Sequence, residues 1–339
     1  MSEKKGIVLM NLGSPDSTQV KDVRRYLAEF LMDERVIDVP YLLRFLLVRG
    51  IIVPFRAPKS AEAYKRIWTE KGSPLVDITK QVQADLQKQT DEPVEIAMRY
   101  GNPSPKTAFD ILMKKSKDLE EVVLMPMYPH YAMSSYETAV EYAKIQHKQG
   151  NYPFKLSIVE PFYKNADYIN ALVETMRFYT QGGNYDHVLF SYHGIPERHI
   201  HKCDITKTHC LKKENCCTTH SPAHAFCYKH QCLETTRLVA EKLGIPKQKY
   251  SHSFQSRLGR DKWLEPYTDH RFEEMPKAGI KNLIVVSPAF VSDCLETLEE
   301  IAMEGKEQFL EAGGENFTLI PCMNVHPLWI KAIKDLIDK

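Results

Sequence analysis

Two short stretches of this 339-residue chain carry side chains suited to proton and metal chemistry. In SYHGIPERH, residues 191–199, His193 follows the apolar run HVLF and precedes Gly194 and Pro196. An imidazole there can accept a proton or hold a metal near neutral pH. The plainer alternative is a structural histidine; the strand-end position sets the two readings level. In SPAFVSDCLETLEEIAMEGKE, residues 287–307, Ser292 or Asp293 can cap a helix. Glu296, Glu300 and Glu304 then recur every four residues on one face. Such a column repels itself unless it meets cations or protons. It is either a solvated acidic face or a ladder that passes cations or protons. The helix starts directly after an apolar strand, which favours the ladder for Glu296 and less so for Glu304.

A third stretch, residues 201–232, holds six of the eight cysteines and five of the thirteen histidines. The spacing is Cys203-x6-Cys210-x5-Cys216-Cys217-x9-Cys227-x4-Cys232. No CxxC pair is present, which weakens a zinc-ribbon reading. In a reducing cytosol clustered cysteines are metal ligands more often than disulfides. Cys294 and Cys322 read as packed thiols, and the histidines of the segment as surface residues rather than ligands.

These residues need elements to place them. Hydrophobic residues make up 43% and charged residues 26%, with a formal net charge of +1, so bulk electrostatics offer nothing to nucleic acid. The N-terminal apolar run is too short for a signal peptide, and 41–55 is broken by Arg44, Arg49 and Gly50. The expectation is a cytoplasmic protein with a greasy surface. Apolar, β-branched runs at 6–13, 94–101, 121–129, 155–162, 187–194, 250–257, 282–290 and 317–323 read as strands, with helical periodicity between them. Alternating strands and helices predict parallel sheets. Eight strands divide four and four near residues 150–165, giving an α/β protein of two doubly wound halves. Special residues gather at the strand ends: Asn11, Arg99, Tyr100, Tyr128, His193, Gln255 and Asp293 among them. Ligands of open α/β sheets bind there, so a cleft between the halves is expected. With Met10, Leu12, Tyr26, Tyr128 and Trp263 in it, the cleft suits a large, flat, hydrophobic ligand. Neither GxGxxG nor GxxxxGK[ST] occurs, so no nucleotide is expected.

GIVLMNLGSP, AMRYGNPS, LMPMYPHYAMSS, LFSYHGIPERH, FQSRLGRDKWLEPYTD and SPAFVSDCLETLEEI together resemble the ferrochelatases, the porphyrin metal-insertion family. The resemblance runs almost the whole length. It implies two Rossmann-like, chelatase-type halves, each a four-stranded parallel sheet flanked by helices. Residues 1–160 would form the N-terminal half, with a porphyrin-entry lip at about 41–58. Residues 161–316 would form the C-terminal half, and 317–339 a last strand and helix packing back on the first. It implies insertion of Fe²⁺ into protoporphyrin IX to form haem, releasing two protons. Carried over residue by residue, His193 and Glu296 are the catalytic pair and contact the Fe²⁺ substrate, with Glu300 the next rung. Arg99 and Tyr100 lie near the porphyrin edge, and Tyr128 and Ser135 on the pocket wall, beside Met10 and Trp263. Coproporphyrin or another tetrapyrrole is the alternative substrate. A non-catalytic haem- or metal-binding module on the same fold is the alternative class. Peripheral membrane contact fits the greasy lip; the sequence sets no oligomeric state.

Some ferrochelatases carry a [2Fe–2S] cluster, and clusters take four thiolates. The animal type draws one cysteine from a place held here by Met133, and a C-terminal cysteine group that is missing up to Lys339. That leaves the insertion at 201–232 for a cluster. A structural zinc and unligated thiols remain as alternatives. Because Cys216 and Cys217 are adjacent, one of them is expected to bind. The expected set is Cys210, Cys217, Cys227 and Cys232, with Cys203 and Cys216 in reserve.

Overall fold

The computed structural model describes residues 4–259 and 261–339. The chain forms two compact units. One holds the residues up to Tyr128, then Met133–Glu160 and Ile330–Lys339; the other holds Pro129–Ala132 and Pro161–Trp329.

The first unit is built on β1 (Lys5–Ser14), β2 (Val94–Gly101), β3 (Glu121–Pro126) and β4 (Lys155–Ile158) in the order β2-β1-β3-β4. The second is built on β5 (His187–His193), β6 (Tyr250–Gln255), β7 (Asn282–Val286) and β8 (Asn316–Leu319) in the order β6-β5-β7-β8. Every pairing is parallel, and all eight expected strands are present. The two sheets share one topology, a repeat that the residues themselves do not display. Helices cover both faces of a parallel sheet, so the central strands are buried throughout. All of β3 and the first six residues of β5 are buried. Met10 in β1 has 0% exposure, so it offers a ligand no surface, contrary to its expected place in the pocket. Leu12, further along the same strand, is half-buried instead.

Local sequence explains the helix ends. Ser104 accepts a hydrogen bond from the Thr107 amide and Pro105 opens the Pro105–Lys115 helix, the preferred pair for a helix start. That helix buries Ala108, Phe109 and Leu112, one helical stripe. Each large apolar side chain so buried contributes about 1.5–3 kcal/mol. The Tyr228–Leu243 helix stops at Gly244, whose φ of 66° is left-handed.

The segment 41–58 is helical and unusually bare. Leu42 is 75% exposed and Phe55 76%, with Tyr41, Leu43, Leu46 and Ile51 also exposed. Arg44 turns inward and donates to the Ile37 and Val39 carbonyls. Among the described residues, no helix is long and apolar enough to cross a membrane.

Candidate active site and cysteine centre

In the second unit His193 ends β5 opposite Gln255 of β6. Gly194 is required after it: a Cβ there would stand 2.8 Å from the Ser256 carbonyl oxygen and 3.0 Å from that of Gln255. His193 Nδ1 lies 2.6 Å from the Gly194 carbonyl oxygen. A carbonyl only accepts, so Nδ1 carries a proton, and in the neutral ring the lone pair then sits on Nε2. That is the tautomer a base or a metal ligand needs.

Glu296 opens a π-helix, Glu296–Gly305, rather than an α-helix. Bonding five residues back widens the turn, and π-turns recur at functional sites. Glu296 and Glu300 are half-buried and Glu304 is exposed, so the acidic column runs from interior to surface. The expected cap is not formed. Leu295 precedes the helix without a side-chain cap, and Asp293 instead accepts from Thr297 Oγ1 at 2.9 Å and the Cys322 amide at 3.3 Å.

Two residues at the end of β6 tie these parts together. Gln255 accepts from Ser191 Oγ at 2.7 Å and donates to the Glu296 carbonyl oxygen at 3.2 Å. Ser256, at a φ of 61° unusual for a non-glycine residue, donates to Glu300 Oε2 at 2.5 Å. Sequence alone marks both only by their position at a strand end. Trp263 is half-buried and donates its indole N–H to the Leu258 carbonyl. Cys294 and Cys322 are buried thiols; burial, then the Glu296 and Asp293 carboxylates respectively, holds both well above the usual thiol range.

In the first unit Arg99 pairs with Asp33 and donates to Thr138 Oγ1 at 2.6 Å. Its guanidinium lies over the Tyr100 ring at 4.2 Å and the Tyr142 ring at 4.4 Å. Burial pushes the Asp33 carboxyl up, but hydrogen bonds from Thr138 and the Arg35 amide, with the Arg99 charge, outweigh it and hold the group below the usual range. Tyr100 is wholly buried and donates to the same carboxylate at 3.0 Å. Arg99 and Tyr100 are therefore a closed network more than open ligand contacts. Arg99 also borders a cavity of about 620 Å³ with Lys21, Arg24, Arg49 and Tyr142. Tyr128 is buried, and its hydroxyl has no hydrogen-bond partner among the described residues. Ser135 is half-buried in a π-turn, Met133–Glu137.

The cysteine segment has its own organising carboxylate. Buried Asp204 accepts from the amides of Thr206, His209 and Cys210, each at 2.9 Å. Burial alone would raise this carboxyl; these bonds and that from the Thr206 hydroxyl pull it well below the usual range. Cys216 Sγ and Cys217 Sγ stand 3.9 Å apart. Two thiolates on one tetrahedral metal, with bonds of ~2.3 Å, would stand about 3.8 Å apart. Hydrogen bonds from the Cys210 and Cys217 thiols hold Cys227 below the usual thiol range, and the same bonds together with burial push Cys210 and Cys217 up. Four sulfurs, of Cys210, Cys216, Cys217 and Cys227, thus share one neighbourhood. Cys232 lies deeper, though still within electrostatic reach of Cys227. It is 0% exposed on the Tyr228–Leu243 helix, against the Tyr228 hydroxyl and near Tyr192. Five residues past Cys227, the helix has turned that side chain into the core. Cys203 is half-buried at the end of the Glu197–Cys203 helix. Among the described residues, no three His, Cys, Asp or Glu side chains already close on a single ion.

Two parallel four-stranded sheets of matching topology define a chelatase-type α/β protein. The fold is shared with the sirohydrochlorin chelatase SirB of Bacillus subtilis, solved with Fe³⁺ at a TM-score of 0.57 and 13% identity, over 99% of this chain and 94% of that one. The chain itself belongs to the ferrochelatase family, whose model matches residues 4–339. The ferrochelatase of Pseudomonas fluorescens is 49% identical over 335 residues, covering 98% of this chain and 97% of its own. That of Opitutus terrae is 49% identical over 330 residues, covering 96% and 94%.

Proposed function

We propose that this protein inserts Fe²⁺ into protoporphyrin IX, the iron-insertion step of haem synthesis. The metal replaces two pyrrole protons, so the site must take up two protons while iron loses its water. The observation that carries the reading is the His193 tautomer, with Nδ1–H spent on the Gly194 carbonyl and the lone pair on Nε2. Glu296 supplies the second group, tied to the histidine's sheet through Gln255. The two share proton removal and metal holding, and Glu300 continues the path outward. An anaerobic assay with Fe²⁺ and either protoporphyrin IX or coproporphyrin tests this. Faster haem formation from protoporphyrin is expected; preference for coproporphyrin reassigns the substrate, and no insertion with either sinks the enzyme reading.

The cysteine centre fits a [2Fe–2S] cluster held by Cys210, Cys216, Cys217 and Cys227. When bound, such a cluster supplies a one-electron couple and folding free energy to a loop with little apolar content. Asp204 fixes the Cys210 backbone by accepting from its amide. Protein purified without oxygen should be red-brown. Cys216→Ser should bleach it and Cys232→Ser should not; the reverse result restores Cys232 as a ligand, and one zinc per chain without sulfide replaces the cluster.

The bare segment 41–58 supports porphyrin entry and peripheral contact with a membrane surface. Co-sedimentation with lipid vesicles should be lost in Leu42→Glu/Phe55→Glu, with thermal stability unchanged. Equal sedimentation of the variant would remove the lip from that contact.

A further inference from the structure

Three histidines of the cysteine segment converge on two adjacent peptide groups. His209 Nε2 lies 2.7 Å and His224 Nε2 2.8 Å from the Cys216 carbonyl oxygen. His230 Nδ1 lies 2.7 Å from the Cys217 carbonyl oxygen. Carbonyls only accept, so each imidazole is the donor, and both lone pairs of the Cys216 oxygen are taken. The His224 and His230 rings stack with centroids 3.6 Å apart and planes 10° from parallel; His209 meets His224 edge-on at 5.3 Å. His209 is buried and the other two are half-buried.

The Cys216–Cys217 pair needs such support. In extended backbone, successive side chains point to opposite faces. Here both sulfurs must lie on one side, 3.9 Å apart, so the backbone turns sharply. The preceding residues Lys212, Lys213 and Glu214 are exposed. With both carbonyls drawn to the imidazoles, the thiols are left to face Cys227 and Cys210. Amides can also reach the sulfurs: the Leu211 N–H donates to Cys216 Sγ at 3.4 Å. Hydrogen bonds around the sulfurs and their backbone set a cluster's potential and the orientation of its ligands.

We propose that His209, His224 and His230 are positioning residues that aim the Cys216 and Cys217 thiols at a metal centre shared with Cys210 and Cys227. This rests on the metal reading of the cysteine centre. The rings act through carbonyls, so they hold the ligands and do not bind the metal.

The test uses the full chain purified without oxygen. Iron, sulfide and zinc per chain are measured, with the visible circular dichroism and the electron paramagnetic resonance spectrum of the reduced protein. His209→Ala/His224→Ala should lose at least half of the metal, or keep it with a shifted spectrum and reduction potential. His209→Gln/His224→Gln should restore content and spectrum, since a side-chain amide also donates to a carbonyl. His230→Ala, which frees only the Cys217 carbonyl, covers the case in which the double variant fails to fold. A double alanine variant with wild-type metal content, spectrum and potential would overturn the proposal, as would glutamine behaving like alanine. Wild-type protein free of iron and zinc would overturn the metal reading and this proposal together, a failure visible before any substitution is made.

Discussion

At the scale of single residues, a few protons and lone pairs decide the chemistry. His193 spends one ring nitrogen on a backbone carbonyl, so in the neutral ring the other is the acceptor. His193→Ala should therefore lose ~10²–10⁴-fold in insertion rate, the range of a lost acid–base group, with the circular dichroism spectrum unchanged. Near-normal turnover would move the role to another residue. Glu296→Gln should lose ~10²-fold or more by the same argument, while Glu304→Gln, at the exposed end of the column, should cost little. A steady decline in effect from Glu296 through Glu300 to Glu304 is the signature of a path; equal effects would point to a general field of negative charge. Residue order places both His193 and Glu296 just past an apolar run, where strand ends present side chains to ligands.

At the scale of elements, the site depends on how closely β5 and β6 approach at their ends. The Gly194 amide donates to the Gln255 carbonyl at 2.6 Å, and no Cβ fits between the two chains. Gly194→Ala should displace His193 relative to Glu296. Misplacement by an ångström costs on the order of 10²-fold in rate, so kcat should fall about that much, with the circular dichroism spectrum unchanged. Wild-type kcat in that variant would mean that the β5–β6 spacing is not critical. The acidic column shows what periodicity can and cannot tell. Four-residue spacing marked one helical face, but the same glutamates lie on a π-helix, which spacing alone does not distinguish from an α-helix.

At the scale of the molecule, three histidines of the second unit, His130 and His187 buried and His252 half-buried, set the acid limit. Burial lowers His130 to about 3, and burial with nearby cations lowers His187 and His252 to about 4, all from 6.5. The unfolded chain then binds protons that the folded one refuses, so stability is full above pH 6.5 and falls as the pH drops toward 4. The urea midpoint should decline between pH 7 and pH 5. His130→Gln, which can still hydrogen-bond to Thr235, should reduce the protons taken up on unfolding by about one. An unchanged uptake would show that His130 is already charged in the folded protein. The depressed Asp33 carboxyl acts only at more acid pH. Its stabilisation is present above the usual carboxylate range and is lost as the pH falls through its lowered value.

Strand number and the four-and-four division were readable from residue order, because both depend on local periodicity; residue order also places His193 and Glu296 just past apolar runs. The arrangement of the cysteine side chains was not readable. Adjacent Cys216 and Cys217 looked mutually exclusive, yet a tight turn held by three histidine donors puts both sulfurs on one side. Cys232 looked equivalent to its neighbours, yet the helix that begins after Cys227 rotates it into a wall of tyrosines. Arg99 and Asp33, 66 residues apart, meet only because β2 and the end of the Val20–Leu31 helix come together. Met10 lies two residues before half-buried Leu12 on the same strand, but two flanking strands and the helices over them cover it completely. Local order determines which element a residue joins; which way its side chain then points, and what it meets, depends on contacts between segments far apart in the chain.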